Sequence, residues 1–126
     1  MKQAIFSKNA PAPIGPYSQG IRHGQMIFLS GQVAIDPATG DLVMDSIEAE
    51  TRQVMANIKA LLDSEGLGFD HVVKSSIFLS DMALFNQVNA VYATYFDETP
   101  PARETVAVAG LPKGVNVEIS VTAIRS

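Results

Sequence analysis

The hydrophobic period of this chain runs from strand-like to helix-like and back twice, and that order excludes most architectures. Lys2 to Ser7 suits a short strand, and Tyr17 to Arg22 reads as a second, leading into the turn Arg22-His23-Gly24-Gln25. Met26-Ile27-Phe28-Leu29-Ser30 is a continuous apolar run, the pattern of a strand buried on both faces. From Asp45 the period lengthens. Ile47, Thr51, Val54, Met55, Ile58, Leu61 and Leu62 recur at helical spacing, Asp45 and Glu48 resemble a capping box, and Gly66 or Gly68 marks the stop. Asp70 to Leu79 then alternates, with Val73, Ser75, Ile77 and Leu79 on one face. Ser80-Asp81 caps a second helix whose stripe is Leu84, Phe85, Val88, Val91, Tyr92, Tyr95 and Phe96. Two strands close the chain, Arg103 to Ala109 and Val115 to Ile124.

Strands, helix, strand, helix, two strands is an α+β plan, one sheet with two amphipathic helices packed on a single face. The length of 126 residues fits one domain, residues 1–126, with a sizeable core. Helices on one face leave the other bare. Yet the strands carry apolar residues on both sides, as in Met26 to Leu29 and in Val106 and Val108 beside Ala107 and Ala109. So apolar a face predicts burial against other copies of the chain.

The formal charge of -4, with nine Lys and Arg scattered along the chain, argues against nucleic acid as a partner, because phosphate contacts need a basic patch. The absence of cysteine excludes disulfides, thiolate nucleophiles and Cys-type zinc sites. No apolar run approaches membrane-spanning length, and Met1 to Phe6 is too short for a signal peptide, so the expectation is a cytoplasmic protein with no membrane partner.

Few residues are placed for chemistry. Pro100-Pro101-Ala102-Arg103 puts a lone arginine at the mouth of a strand, on a backbone stiffened by two prolines. Such an arginine is more often a surface residue; the alternative is a guanidinium held for a planar carboxylate or phosphate. Glu118 is the sole charged residue between Val115 and Ile124, opposite the valine face. It is either a solvated edge-strand glutamate or an acid partly desolvated at an interface. Ser30 offers a hydroxyl and Gly31 an unhindered backbone N–H. Asn89 belongs to the helix surface or to the rim of a pocket, and Tyr17 leaves the proline-rich loop Asn9 to Pro16 able to close one. His23 and His71 have no carboxylate at ligand spacing, and no glycine pattern fits a phosphate loop.

Ile14-Gly15-Pro16-Tyr17-Ser18-Gln19-Gly20, Ser30-Gly31-Gln32, Val88-Asn89, Pro101-Ala102-Arg103, Leu111-Pro112-Lys113-Gly114 and Val117-Glu118-Ile119 together resemble the RidA (YjgF, reactive intermediate deaminase) family, in the right order from about Asn9 to Arg125. The resemblance implies a chorismate-mutase-like fold assembled as a homotrimer, with the sheets lining a central barrel and clefts between subunits. It implies hydrolysis of 2-aminoacrylate, 2-aminocrotonate and their imine tautomers to 2-keto acids and ammonia, with no cofactor and no metal. Arg103 would hold the substrate carboxylate with the Gly31 backbone. Glu118 would place and polarise the attacking water near the backbone of Thr105, and Tyr17, Ser30 and Asn89 would line the cleft. The chain departs from the family pattern at Thr105, where cysteine is common, at Pro100, where an aromatic is common, and at Ser120, which replaces a second acid. The competing readings are a non-catalytic binder of small carboxylates, which needs Arg103 but not Glu118, and the ribonuclease, translation-inhibitor or chaperone roles ascribed to other members.

Overall fold

The structure is a computed structural model and describes residues 1–126. Its strands are β1 (Gln3–Ile5), β2 (Gly20–His23), β3 (Met26–Leu29), β4 (Val72–Leu79), β5 (Ala102–Ala107) and β6 (Val117–Ile124), and its helices α1 (Ile47–Ser64) and α2 (Phe85–Ala93). They form one six-stranded mixed sheet in the order β1-β2-β3-β6-β4-β5. Only β4 and β5 are parallel. A parallel pair needs a crossover, and α2 supplies it, returning the chain over one face so that β5 pairs beside β4 as an edge strand. Last in sequence, β6 fills the slot between β3 and β4.

Both helices cover the same face. From α1, Val54, Met55, Ile58, Leu61 and Leu62 are fully buried, and Val88 and Tyr92 come in from α2. They meet Ile27, Leu29, Ile77, Leu79, Val117 and Ile119 from the sheet. Each large side chain buried this way contributes about 2 kcal/mol against exposure. The α+β plan with two helices on one face is therefore as the periodicity predicts.

Details differ, each for a local reason. The first helix is capped by Ser46, whose side chain accepts from the Ala49 N–H, and not by an Asp45–Glu48 box. In β4 a register shift between Val72 and Lys74 turns Val72 inward and leaves Val73 44% exposed, against the simple alternation. Met26 to Leu29 is not buried on both faces within one chain, since Ile27 and Leu29 point to the helices while Met26 and Phe28 face outward. The second strand begins at Gly20 rather than Tyr17, and Tyr95 and Phe96 lie past the end of α2.

Three buried polar side chains brace the loops. Gln19 accepts from the Ser7 N–H at 2.7 Å and donates to the carbonyls of Ser7, Ala10 and Pro11, so the proline-rich loop is tied to the body. Asn57 donates to the carbonyls of Val33 and Ile35. Glu50, only 1% exposed, accepts from the N–H groups of Asn116 and Val117 and from the Asn116 amide. That carboxylate fixes the start of β6, and with it the position of Glu118.

Candidate active site

Alternation and register place the site residues in two groups. On β5, Arg103 pairs with Ser75 of β4, which pairs with Val121 of β6, and Ser75 and Val121 are buried under the helices. Arg103 therefore lies on the helix side, at the sheet edge. Its Nη1 donates to Asn89 Oδ1 at 2.8 Å, and its Cζ sits 5.0 Å from the Tyr92 ring centroid and 5.6 Å from that of Phe85. Packing on two aromatic faces orients a planar cation without neutralising it. No acid pairs with Arg103, whereas Arg22, Lys59, Lys74 and Arg125 each have a carboxylate partner. The Tyr92 hydroxyl is pushed up from its ordinary pKa by burial, an effect opposed by its hydrogen bond to Ser75 and by the Arg103 charge. Two residues further along β5, Thr105 faces the same side, and its Oγ1 is the one buried side-chain polar atom with no hydrogen-bond partner.

The second group lies on the open face. Glu118 pairs with Phe78 of β4, which pairs with Val106 of β5, and all three point away from the helices. Beyond β3 the chain continues alongside β6. The Gln32 N–H donates to the Ile119 carbonyl at 2.8 Å, and the Ile119 N–H donates back to the Gln32 carbonyl at 3.1 Å. That bridge lays Gly31 against Glu118. A Cβ built on Gly31 would stand 2.8 Å from the Glu118 Cδ, so only glycine leaves the carboxylate where it is. The Gly31 N–H has no protein acceptor. Tyr17, 51% exposed, shares with Ser30, Gly31 and Glu118 a cavity of about 330 Å³. Ser30 already donates its hydroxyl to the Ser18 carbonyl at 2.6 Å, so it can offer a ligand only an acceptor. Partial burial raises the Glu118 pKa above the ordinary carboxylate value, and no cation offsets it.

Tyr17, Ser30, Gly31 and Glu118 are thus brought together, as are Asn89, Arg103 and Thr105. The two groups lie on opposite faces of the sheet. The sequence reading gave no site role to Phe85 and Tyr92, which orient Arg103 but look from spacing like core stripe. It also missed Lys113, which lines the Glu118 cavity in the left-handed region at φ 58°. The Pro112-Lys113-Gly114 turn was its only signal.

Comparison with known proteins decides the family. A family model described as endoribonuclease L-PSP matches residues 7–125. A RutC family protein from Pyrococcus horikoshii is 49% identical over 125 residues, covering 99% of both chains. The chain belongs to the RidA/YjgF family. Another relative, named 2-iminobutanoate/2-iminopropanoate deaminase, from Salmonella typhimurium, is 44% identical over 128 residues, with 99% of each covered. Among solved structures, E. coli TdcF with bound serine superposes with a TM-score of 0.94 at 38% identity, covering 98% of this chain and 99% of that one. This RidA-family chain thus shares its mixed sheet and two-helix layer with solved YjgF and L-PSP structures.

Proposed function

We propose that the chain hydrolyses 2-aminoacrylate, 2-aminocrotonate and their 2-imino acid tautomers, in clefts between the subunits of a homotrimer. One observation carries this reading. A partly buried cation without an anion, Arg103, and a partly buried acid without a cation, Glu118, sit on opposite faces of one chain. One copy cannot bring both to one small molecule, but two copies can, with the β5 edge of one against the open face of the next. That face is apolar enough to need a cover, since Met26, Phe28, Val106 and Ile124 are 40–43% exposed on it.

In such a cleft Arg103 grips the substrate carboxylate, and the Gly31 N–H of the neighbouring copy adds a donor. Glu118 of that copy takes a proton from water as the oxygen adds to the imine carbon. The proton passes to nitrogen, the C–N bond breaks, and ammonia leaves as the carbonyl of the 2-keto acid forms. One water is consumed. The imine carbon is already electrophilic, so positioning and one proton-transferring acid suffice. Its raised pKa makes the Glu118 carboxylate a stronger base than an exposed glutamate. The deaminase name of the Salmonella relative and the serine in TdcF support a small amino-acid-like substrate.

The ribonuclease reading has less support. His71 Nδ1 accepts from the Gly68 N–H and lies 3.2 Å from Asp70, while His23 stands exposed at a turn, so no histidine pair is assembled. The test couples a threonine dehydratase to this protein and follows 2-ketobutyrate. Formation faster than spontaneous hydrolysis, lost in Glu118→Ala while keto-acid binding persists, supports the deaminase. No acceleration by the unmodified protein leaves the carboxylate-binder reading in its place.

A further inference from the structure

Arg103 also lines a second space. Between α2 and the start of β5 lies a cavity of about 500 Å³, whose wall includes Asn89, Tyr92, Phe96, Asp97, Pro101 and Arg103. It holds one cation and one anion, Arg103 and Asp97, and no ion pair joins them. Between them the wall is aromatic ring and proline. Past Asp97, and sharing Phe96 with the first space, a crevice continues along Asp70, Tyr95 and Glu98, with no basic residue in its lining. The space is therefore graded, with a guanidinium at one end, apolar surface in the middle and carboxylates at the other.

We infer that this cavity receives the side chain of a 2-imino acid that ends in a positive charge, an ammonium or guanidinium, with the substrate carboxylate on Arg103 and the distal cation at Asp97. This rests on the deaminase reading and names its substrate class. Asn89, the Arg103 partner, lies on α2, and Asp97 lies four residues past the end of that helix at Ala93; both line the cavity together with Arg103. The cavity volume of about 500 Å³ has room for a side chain of arginine size. The methylenes of that side chain lie on Tyr92 and Phe96, and its cation meets the ring of Phe96 as well as the carboxylate. An acidic side chain would meet Asp97 and Glu98 as like charges. Pro100 and Pro101 stiffen the opposite wall, so little order is lost on binding.

The sharpest test compares isosteres. Arginine- and citrulline-derived 2-imino acids, generated in place by an amino-acid oxidase, differ in guanidinium against ureido and in little else. The kcat/KM ratio of arginine to citrulline imine, each corrected for spontaneous hydrolysis, should be about three- to fivefold at low salt, as for an exposed ion pair, and shrink at high salt. Asp97→Asn should bring the ratio close to one, whichever way the absolute rates move, and Asp97→Glu should keep it. A ratio near one in the unmodified protein, or one that persists in Asp97→Asn, overturns the inference. If 2-iminobutanoate is still hydrolysed in that case, the deaminase reading survives alone. If no imine is hydrolysed faster than in buffer, both fall.

Discussion

Two inactive variants should restore each other when mixed, because the proposed cleft takes Arg103 from one copy and Glu118 from the next. Alone, Arg103→Ala loses a two-pronged charge-assisted grip on the substrate carboxylate, about 3 kcal/mol or roughly 10²-fold in kcat/KM. Glu118→Ala alone loses the proton-transferring group, about 10²- to 10⁴-fold. In an equal mixture a cleft is complete when its arginine donor is the Glu118→Ala chain and its glutamate donor the Arg103→Ala chain. Random assortment around a closed threefold ring makes about one quarter of clefts complete. Activity near one quarter of the unmodified level, against backgrounds of about one hundredth or less, lies far outside experimental scatter. The assay refolds the two variants together, verifies mixed trimers by native mass spectrometry, and follows 2-ketobutyrate behind threonine dehydratase. Mixed trimers no more active than the average of the two variants would refute the shared cleft. Monomers at micromolar concentration by sedimentation would refute it sooner.

Two further predictions concern single groups. Glu118 must be ionised to accept a proton, so kcat/KM should rise with pH through its raised pKa and then level off, a profile checked with 2-iminobutanoate. The same shift has the opposite sign in stability: with a folded pKa above the unfolded one, the contribution of Glu118 is present below the unfolded value and lost as pH rises through the folded value. The Tm advantage of Glu118→Gln over the unmodified protein should accordingly grow as pH rises from about 4, the ordinary carboxylate range, through the raised Glu118 value, as differential scanning calorimetry can show. The unpartnered Thr105 hydroxyl costs about 1 kcal/mol, so Thr105→Val should raise Tm by about 3 °C. A fall in Tm would mean that the hydroxyl finds a partner in the assembled protein.

The alternation of Val117 to Ile124 was legible in sequence because its two faces differ so sharply in chemistry, and it correctly sets Glu118 against the valines. Arg103 could be named as a candidate too, but not the face it occupies. Which way Arg103 points depends on the register of β5 against β4, set by the crossover through α2 and by no local pattern. The inward turn of Val72 was hidden for a related reason, since a bulge flips every side chain on one side of it. Least legible were Gln19, Asn57 and Glu50. Each looks like an ordinary polar residue until the fold delivers its partners, in the case of Glu50 from 66 residues away.

The proposed cleft accounts for two charges that are left unpaired. Within one chain they lie on opposite faces and never meet. Across a seam they need approach only to the width of the substrate set between them, whereas a direct, partly buried ion pair would cost several kcal/mol to open. Asn89 and two aromatic rings hold the cation without cancelling it, and the close approach of Gly31 shelters the acid. On the proposed reading the half-sites are incomplete until chains associate, which would tie activity to assembly. The two half-sites would then do different work: the β5 side would fix the carboxylate and grade the side chain toward Asp97, while the open face would supply water and base. Substitutions at Asp97 should therefore change which imine is accepted, whereas Arg103→Ala and substitutions on the open face should slow every imine alike.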